Sequence, residues 1–236
     1  MIKSNHQEVV SLESSNSVEC FEPFISPNPK TSYNPVQISP TIHKSAFVSP
    51  LTAVIGDVTL RKNVFVAPLV SIRADEGTPF YVGSNTNLQD GVILHGIVNK
   101  FVRVDGKKYS IFIGKEVSVA HGALIHGPCF IGHKVFVGFK TIVYDAIVGN
   151  GVFIANNAVV TNGVRIADNR FVPPGAYIDT QQKADALPPV PAGNREFAEA
   201  VQRVNQEFPP AYHILCGDSR CSCGIAYNKS EKRDSE

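Results

Sequence analysis

From Val48 onward an aliphatic residue recurs at every sixth position: Val48, Val54, Leu60, Val66 and Ile72. A second small or branched residue follows four places after each of the first four, at Thr52, Val58, Val64 and Val70. The step breaks, resumes at Val82, Leu88 and Leu94, breaks again, and returns at Ile113, Val119, Ile125, Ile131, Val137 and Val143. One step of five leads to Val148, and Ile154, Val160, Ile166, Val172 and Ile178 complete the series. An amphipathic helix would space its apolar residues by three and four, and a β-meander would alternate with period two between turn clusters. Steps of six fit a parallel β-helix, in which each step is one short strand and its corner, three steps make a coil, and coils stack about 4.8 Å apart. The predicted fold is therefore all-β, a solenoid over residues 41–182 with the recurring aliphatics pointing inward.

The ends differ in kind. Residues 1–40 are rich in Ser, Pro and Asn without a period and read as an extended or disordered N-terminal segment. Within 190–210, Phe197, Val201, Val204 and Phe208 sit at helical spacing, with Asn194 as N-cap and Pro209-Pro210 as the stop. A C-terminal α-helix is predicted there, its apolar stripe packed on the β-helix, followed by a polar tail over 211–236.

The register assigns polar residues to faces. If 73–81 and 97–112 protrude as loops, Arg73, His95 and His126 each stand one residue past an inward aliphatic on the same face of three successive coils. His95 and His126 are then one rung apart, close enough to chelate one ion. Asp90 and His121 each stand two residues past the aliphatic on a different face. His121 thus lies around a corner from the other two, and a neighbouring copy could supply it, threefold closure being the simplest arrangement. Three imidazoles with an open fourth position are the catalytic form of a zinc site, where a bound water reaches a pKa of about 7. A single histidine at a β-helix corner is more often an ordinary polar residue, which is how His43 and His133 read; His6 and His213 are assigned nothing.

Charge narrows the partners. Lys+Arg of 22 against Asp+Glu of 21 leaves +1, without the basic excess a nucleic acid or anionic membrane would call for. A charged fraction of 18% is below the roughly 25% of an average soluble domain and suits a surface partly covered by copies of itself. No apolar run approaches a membrane span, and the N-terminus lacks a signal-peptide pattern, so a cytoplasmic location is expected. Cys20, Cys129, Cys216, Cys221 and Cys223 are too uneven for a secreted disulfide framework. The last three could be thiols, a metal clip or a redox pair.

Three stretches, Ser71-Ile-Arg-Ala-Asp-Glu-Gly-Thr-Pro79, Asn87-Leu-Gln-Asp-Gly-Val-Ile-Leu-His95, and Ser118-Val-Ala-His121 through His126-Gly-Pro128, resemble the γ-class carbonic anhydrases. Within that family the likeness is to the N-terminal domain of the carboxysomal organiser CcmM, over about residues 40–221. The resemblance implies a left-handed β-helix and a homotrimer with metal sites at its subunit interfaces. It implies His95, His121 and His126 as ligands of Zn2+, with Fe2+ or Co2+ as alternatives, and hydration of CO2 to bicarbonate. Glu76 would handle the proton, Gln89 would orient the nucleophile with Asn87 assisting, and Asn205 would be an active-site amide of the helix. Arg73 and Asp75 would join subunits, with Asp90 supporting Arg73. It further implies carboxysome shell or scaffold partners, and a redox switch at Cys216 and Cys221 with Cys223 as an additional candidate. Two positions depart from the family pattern. Val98 stands where the highly active archaeal member carries a Glu proton shuttle, and Arg203 replaces an active-site Tyr. They favour the alternative of a CcmM-like adaptor with little turnover; a hexapeptide acyltransferase would need only one catalytic His.

Overall fold

The computed structural model describes residues 22–216. Among these, a stack of short parallel strands forms three faces. One face is a seven-stranded sheet, from Phe47–Val48 through Asn87–Leu88 and Ser118–Val119 to Phe171–Val172. The other two belong to one thirteen-stranded sheet, because strands Leu124–Ile131 and Ile142–Val148 run unbroken around the corner between them. The six-residue step is thereby explained. Val54, Ile72, Leu94, Ile125 and Val143 are all fully buried and paired rung upon rung on one face. Each such side chain contributes roughly 1.5–3 kcal/mol by leaving water, and it does so only if the register is kept. The single step of five, Val143 to Val148, falls where the pairing register shifts after His126, with Asp145 turning the corner at φ +47°.

Residues 22–40, the described part of the N-terminal segment, are more ordered than their composition suggests. Phe24–Ser26 adds a parallel strand to Ala53–Gly56, extending the β-helix below residue 41. Buried Asn28 ties the following loop by donating to the Val36 carbonyl at 2.9 Å and accepting from the Ile38 N–H at 2.9 Å. A segment without hydrophobic period can thus be held by one well-placed amide.

After the last coil come α1 (Gln181–Asp185) and α2 (Ala192–Cys216). The long helix passes the expected stop, with Pro209 and Pro210 inside it. Proline costs a helix its local hydrogen bonds, and packing here offsets that. Tyr212 stacks on Phe65 and Phe47 at centroid distances of 5.6 and 5.1 Å, and Phe208 packs tilted against Phe65 at 5.1 Å. His213 donates to the Ala46 carbonyl at 3.1 Å. The buried stripe also differs from the apolar one expected: Phe197 and Val204 remain 47% and 54% exposed, while Gln202, Asn205 and Pro209 are buried. The wall under the helix is partly polar, offering Asn87 and Ser118, so amides rather than aliphatics complete it. Among the described residues no helix is long and apolar enough to cross a membrane.

Candidate metal centre

His95 pairs with Arg73 below and His126 above, the expected column. His126 Nδ1 lies 3.2 Å from the Gly127 carbonyl, which can only accept, so Nδ1 carries the hydrogen and Nε2 keeps its lone pair. That Nε2 stands 3.2 Å from His95 Nδ1. Two nitrogens bound at 2.0–2.1 Å to a tetrahedral zinc would stand about 3.3 Å apart. Burial, and next the Arg73 guanidinium, push the His95 pKa below its ordinary value, leaving the ring neutral and its lone pair available.

Beside this pair the loop after Ala74 brings two carboxylates. Asp75 Oδ2 accepts from Arg73 Nε at 3.0 Å. Asp75 Oδ1 and His95 Nε2 are 3.4 Å apart, and both are buried without a hydrogen-bond partner. With His95 neutral this approach is not an ion pair: a lone pair on Nδ1, beside His126 Nε2, leaves the ring hydrogen on Nε2, aimed at Asp75 Oδ1. Glu76 Oε2 lies 3.9 Å from His95 Nε2, and its Oε1 accepts from the Val98 N–H at 3.4 Å. Val98 therefore meets Glu76 through its backbone N–H.

His121 occupies another part of the molecule. Its Nδ1 meets Asp90 Oδ2 at 2.9 Å, which fixes the tautomer that leaves the lone pair on Nε2. Within the chain Asp90 thus serves His121; Arg73 is taken by Asp75. Among the described residues no three His, Cys, Asp or Glu side chains of one chain converge on a metal position. Three imidazoles fit an ion in their chemistry, and within one chain His121 stands apart from His95 and His126. Gln89, one residue before Asp90, is buried and donates to Asn87 Oδ1 at 3.1 Å. Asn205 is buried and donates to the Val201 carbonyl of its own helix at 2.9 Å. Arg203 lines a cleft of about 430 Å³ between α2 and the corner carrying Glu116, His133 and Lys134. Cys216 ends α2, while Cys221 and Cys223 lie outside the described residues.

The chain is 39% identical over 200 residues to a carbonic anhydrase of Methanosarcina thermophila, covering 78% of this chain and 79% of that one. The chain belongs to the γ-carbonic anhydrase family. It is also 43% identical over 181 residues to the carboxysome assembly protein CcmM of a Nostoc species, covering 76% of this chain and 32% of the relative. The γ-carbonic anhydrase-like chain therefore spans about a third of that relative's length. No family model matches it. A structure described as a putative acetyltransferase of Bacillus cereus superposes with a TM-score of 0.63 at 23% identity, over 75% of this chain and 93% of that one, which speaks for the shared β-helix alone.

Sequence reasoning did not single out Gln202, although it is the most highly connected side chain of α2. The available signal was a second stripe at helical spacing, Gln202, Asn205 and Pro209, beside the apolar one.

Proposed function

We propose that the chain is a metal-dependent carbonic anhydrase that interconverts CO2 and bicarbonate, works as a homotrimer, and holds each metal between His95 and His126 of one subunit and His121 of the next. The observation that carries this is the division of one donor set between a rung and a corner of the same coil stack. Zn2+ suits three imidazoles, and Fe2+ or Co2+ are the alternatives. Bound there, the ion supplies Lewis acidity that brings a coordinated water to a pKa of about 7.

The surface supports self-association independently of the histidines. Along the corner that carries Asp90 and His121, Leu51 and Leu69 are 67% and 64% exposed, and both adopt left-handed backbone, φ +59° and +62°. Leucine disfavours that region by roughly 1–2 kcal/mol. The coil corner imposes that backbone on rung after rung, as at Gly91, Gly122 and Lys140, so it is the exposure of the two leucines that a covering neighbour would relieve. The histidine face itself exposes Ile93, Ile142, Tyr144 and Tyr177. Corner against face is a heterologous contact, and three copies close it.

Around the bound ion the chain's own groups would divide the work. CO2 and one water give bicarbonate and one proton. Glu76 takes that proton on Oε2, its other oxygen being occupied by the Val98 N–H. Gln89, steadied by Asn87, orients the attacking water, and Asn205 lines the site from the helix. Arg73 and Asp75 stiffen the face where subunits meet. The likeness to carboxysome assembly proteins supports a carboxysomal location with shell or scaffold partners, and a thiol switch involving Cys216, Cys221 or Cys223.

The test mixes His121→Ala and His126→Ala chains through unfolding and reassembly. Each mutant alone should lose metal and activity. A mixed trimer should regain at most one complete site of three. Metal retained by both mutants, or no recovery on mixing while wild type survives the same treatment, would refute the shared site. A second reading, an assembly protein with little turnover, is favoured by Val98, whose side chain carries no proton. Stopped-flow CO2 hydration on metal-replete trimer, with reductant and without, separates the two.

A further inference from the structure

Three side-chain amides and one hydroxyl form a line from the chain backbone to Gln89, next to Asp90, and its polarity is fixed at one end. Gln202 Nε2 donates to the Asn85 carbonyl, an atom that can only accept. The Gln202 amide therefore cannot be flipped, and Oε1 must face the β-helix. There it accepts from Asn87 Nδ2 at 3.1 Å and from Ser118 Oγ at 2.9 Å. Asn87 Nδ2 also donates to Ser118 Oγ at 2.8 Å, so the Ser118 hydroxyl has its proton directed at Gln202. With its NH2 committed, Asn87 turns Oδ1 the other way, where it accepts from Gln89 Nε2 at 3.1 Å. Gln89 is thereby obliged to present its carbonyl oxygen, not its NH2, away from Asn87. Gln202, Asn87, Ser118 and Gln89 are all buried, so a reversed amide would leave donors facing donors without water to relieve them.

We propose that Gln202 is a positioning residue for the hydration reaction: anchored on the Asn85 carbonyl, it sets through Asn87 which end of the Gln89 amide faces the metal centre. An isolated Asn87–Gln89 pair could satisfy itself in either sense. The backbone carbonyl removes that degeneracy and makes Gln89 an acceptor, suited to orient the hydrogen of an attacking water. The relay also makes the docking of α2 a condition for a correctly set site, since Gln202 is the helix's buried contribution to it. The role in turnover rests on the hydration reading above; the direction of the amides does not.

Two substitutions in the metal-loaded trimer separate this from mere packing. Gln202→Met keeps length and bulk but removes both ends of the anchor. The kcat should fall about tenfold, the worth of one lost buried hydrogen bond, with KM, metal content and trimer mass unchanged. The Gln89 side-chain NH2 resonances, assigned by their loss in Gln89→Glu, should shift and exchange faster with solvent. Gln202→Glu is the sharper probe. As a neutral acid it can donate to the Asn85 carbonyl and accept from Asn87, as the amide does; ionised, it cannot donate. Its kcat relative to wild type should be near one at acid pH and fall as the new carboxyl ionises. The charged neighbours in the adjoining cleft, Glu116, His133, Lys134, Arg195, Glu199 and Arg203, set where that occurs. Wild-type kcat with unmoved Gln89 resonances in Gln202→Met, or a Gln202→Glu deficit equal at every pH, would overturn the relay. If wild-type trimer hydrates no CO2, the functional reading fails, and the Gln89 resonances still decide the relay.

Discussion

Replacing Asp90 with Ala measures how much of the metal affinity comes from holding His121 in place. The Asp90 Oδ2–His121 Nδ1 contact is 2.9 Å long, and both side chains are about half exposed in the single chain, 53% and 56%. As a surface pair alone it would contribute no more than about 1 kcal/mol to folding, so the substituted chain should fold normally. Its effect on the ion is larger. The carboxylate fixes the tautomer that leaves Nε2 unprotonated and removes the freedom to rotate. Loss of such support typically costs 10–100-fold in metal affinity, or about 1.4–2.7 kcal/mol. Chelator competition at fixed pH should therefore give a zinc Kd weakened by one to two decades in Asp90→Ala, with the trimer intact by light scattering. Asp90→Asn, whose amide oxygen can still accept from Nδ1–H, should fall between Asp90→Ala and wild type. Unchanged affinity would show that the assembled trimer orients His121 by other means. Loss as complete as in His121→Ala would make Asp90 a ligand rather than a support.

Three further outcomes are expected. Leu51→Asp combined with Leu69→Asp should yield monomers with unchanged far-UV circular dichroism and no tightly held metal; a metal-bearing trimer would contradict the corner interface. Val98→Glu should lessen any dependence of hydration rate on imidazole-type buffer, because a carboxyl beside Glu76 offers a second proton carrier; a wild-type rate already indifferent to buffer would contradict proton transfer as the slow step. Cys129 is fully buried, donates to the His126 carbonyl at 3.1 Å, and burial pushes its pKa up to about 12. With the other four cysteines changed to Ser, folded protein at pH 8 should resist thiol-alkylating reagents, since only the thiolate reacts. The neutral thiol is the form that favours folding, so its contribution is whole below a pKa near 9 and declines as pH rises toward 12; rapid labelling of folded protein at pH 8 would contradict the burial.

What the sequence disclosed depended on whether a residue's position followed from counting. Inward aliphatics recur because each rung must present the same face, so the core and the His95–His126 rung could be located without coordinates. The same count put His121 around a corner. Contacts to the helix were not countable. Phe197 and Val204 look like a buried stripe, yet the wall below them is formed by alternating outward residues of separate coils, and among these Asn87 and Ser118 demand hydrogen bonds. Gln202 meets that demand, and no periodic rule ties residue 202 to residues 87 and 118. Pro209 and Pro210 read as a stop by propensity, and the Phe47–Phe65–Tyr212 stack overrides propensity locally. Asn28 orders its loop through three backbone groups, a device that composition does not reveal.

The two interruptions of the six-residue step separate metal binding from proton transfer. Both leave the stack just after a residue of the histidine column, the first after Arg73 and the second after His95. The three histidines sit on coils, where moving one residue would turn a whole rung inside out and remove a buried aliphatic with it. Asp75, Glu76 and Val98 sit on the protruding segments, where no core side chain depends on them. Of these, the second also carries an antiparallel hairpin, Val102–Val104 with Lys107–Tyr109, added outside the coil stack. Substitution at Val98 can therefore alter how protons leave without disturbing His95, His121 or His126, whose placement is enforced by the fold. A chain of this architecture can keep a complete donor set while its proton path changes. The proposed metal site thus rests on the histidines, and its rate on Glu76 with its Val98 neighbour; the two need separate measurements, metal content for the first and buffer-dependent turnover for the second.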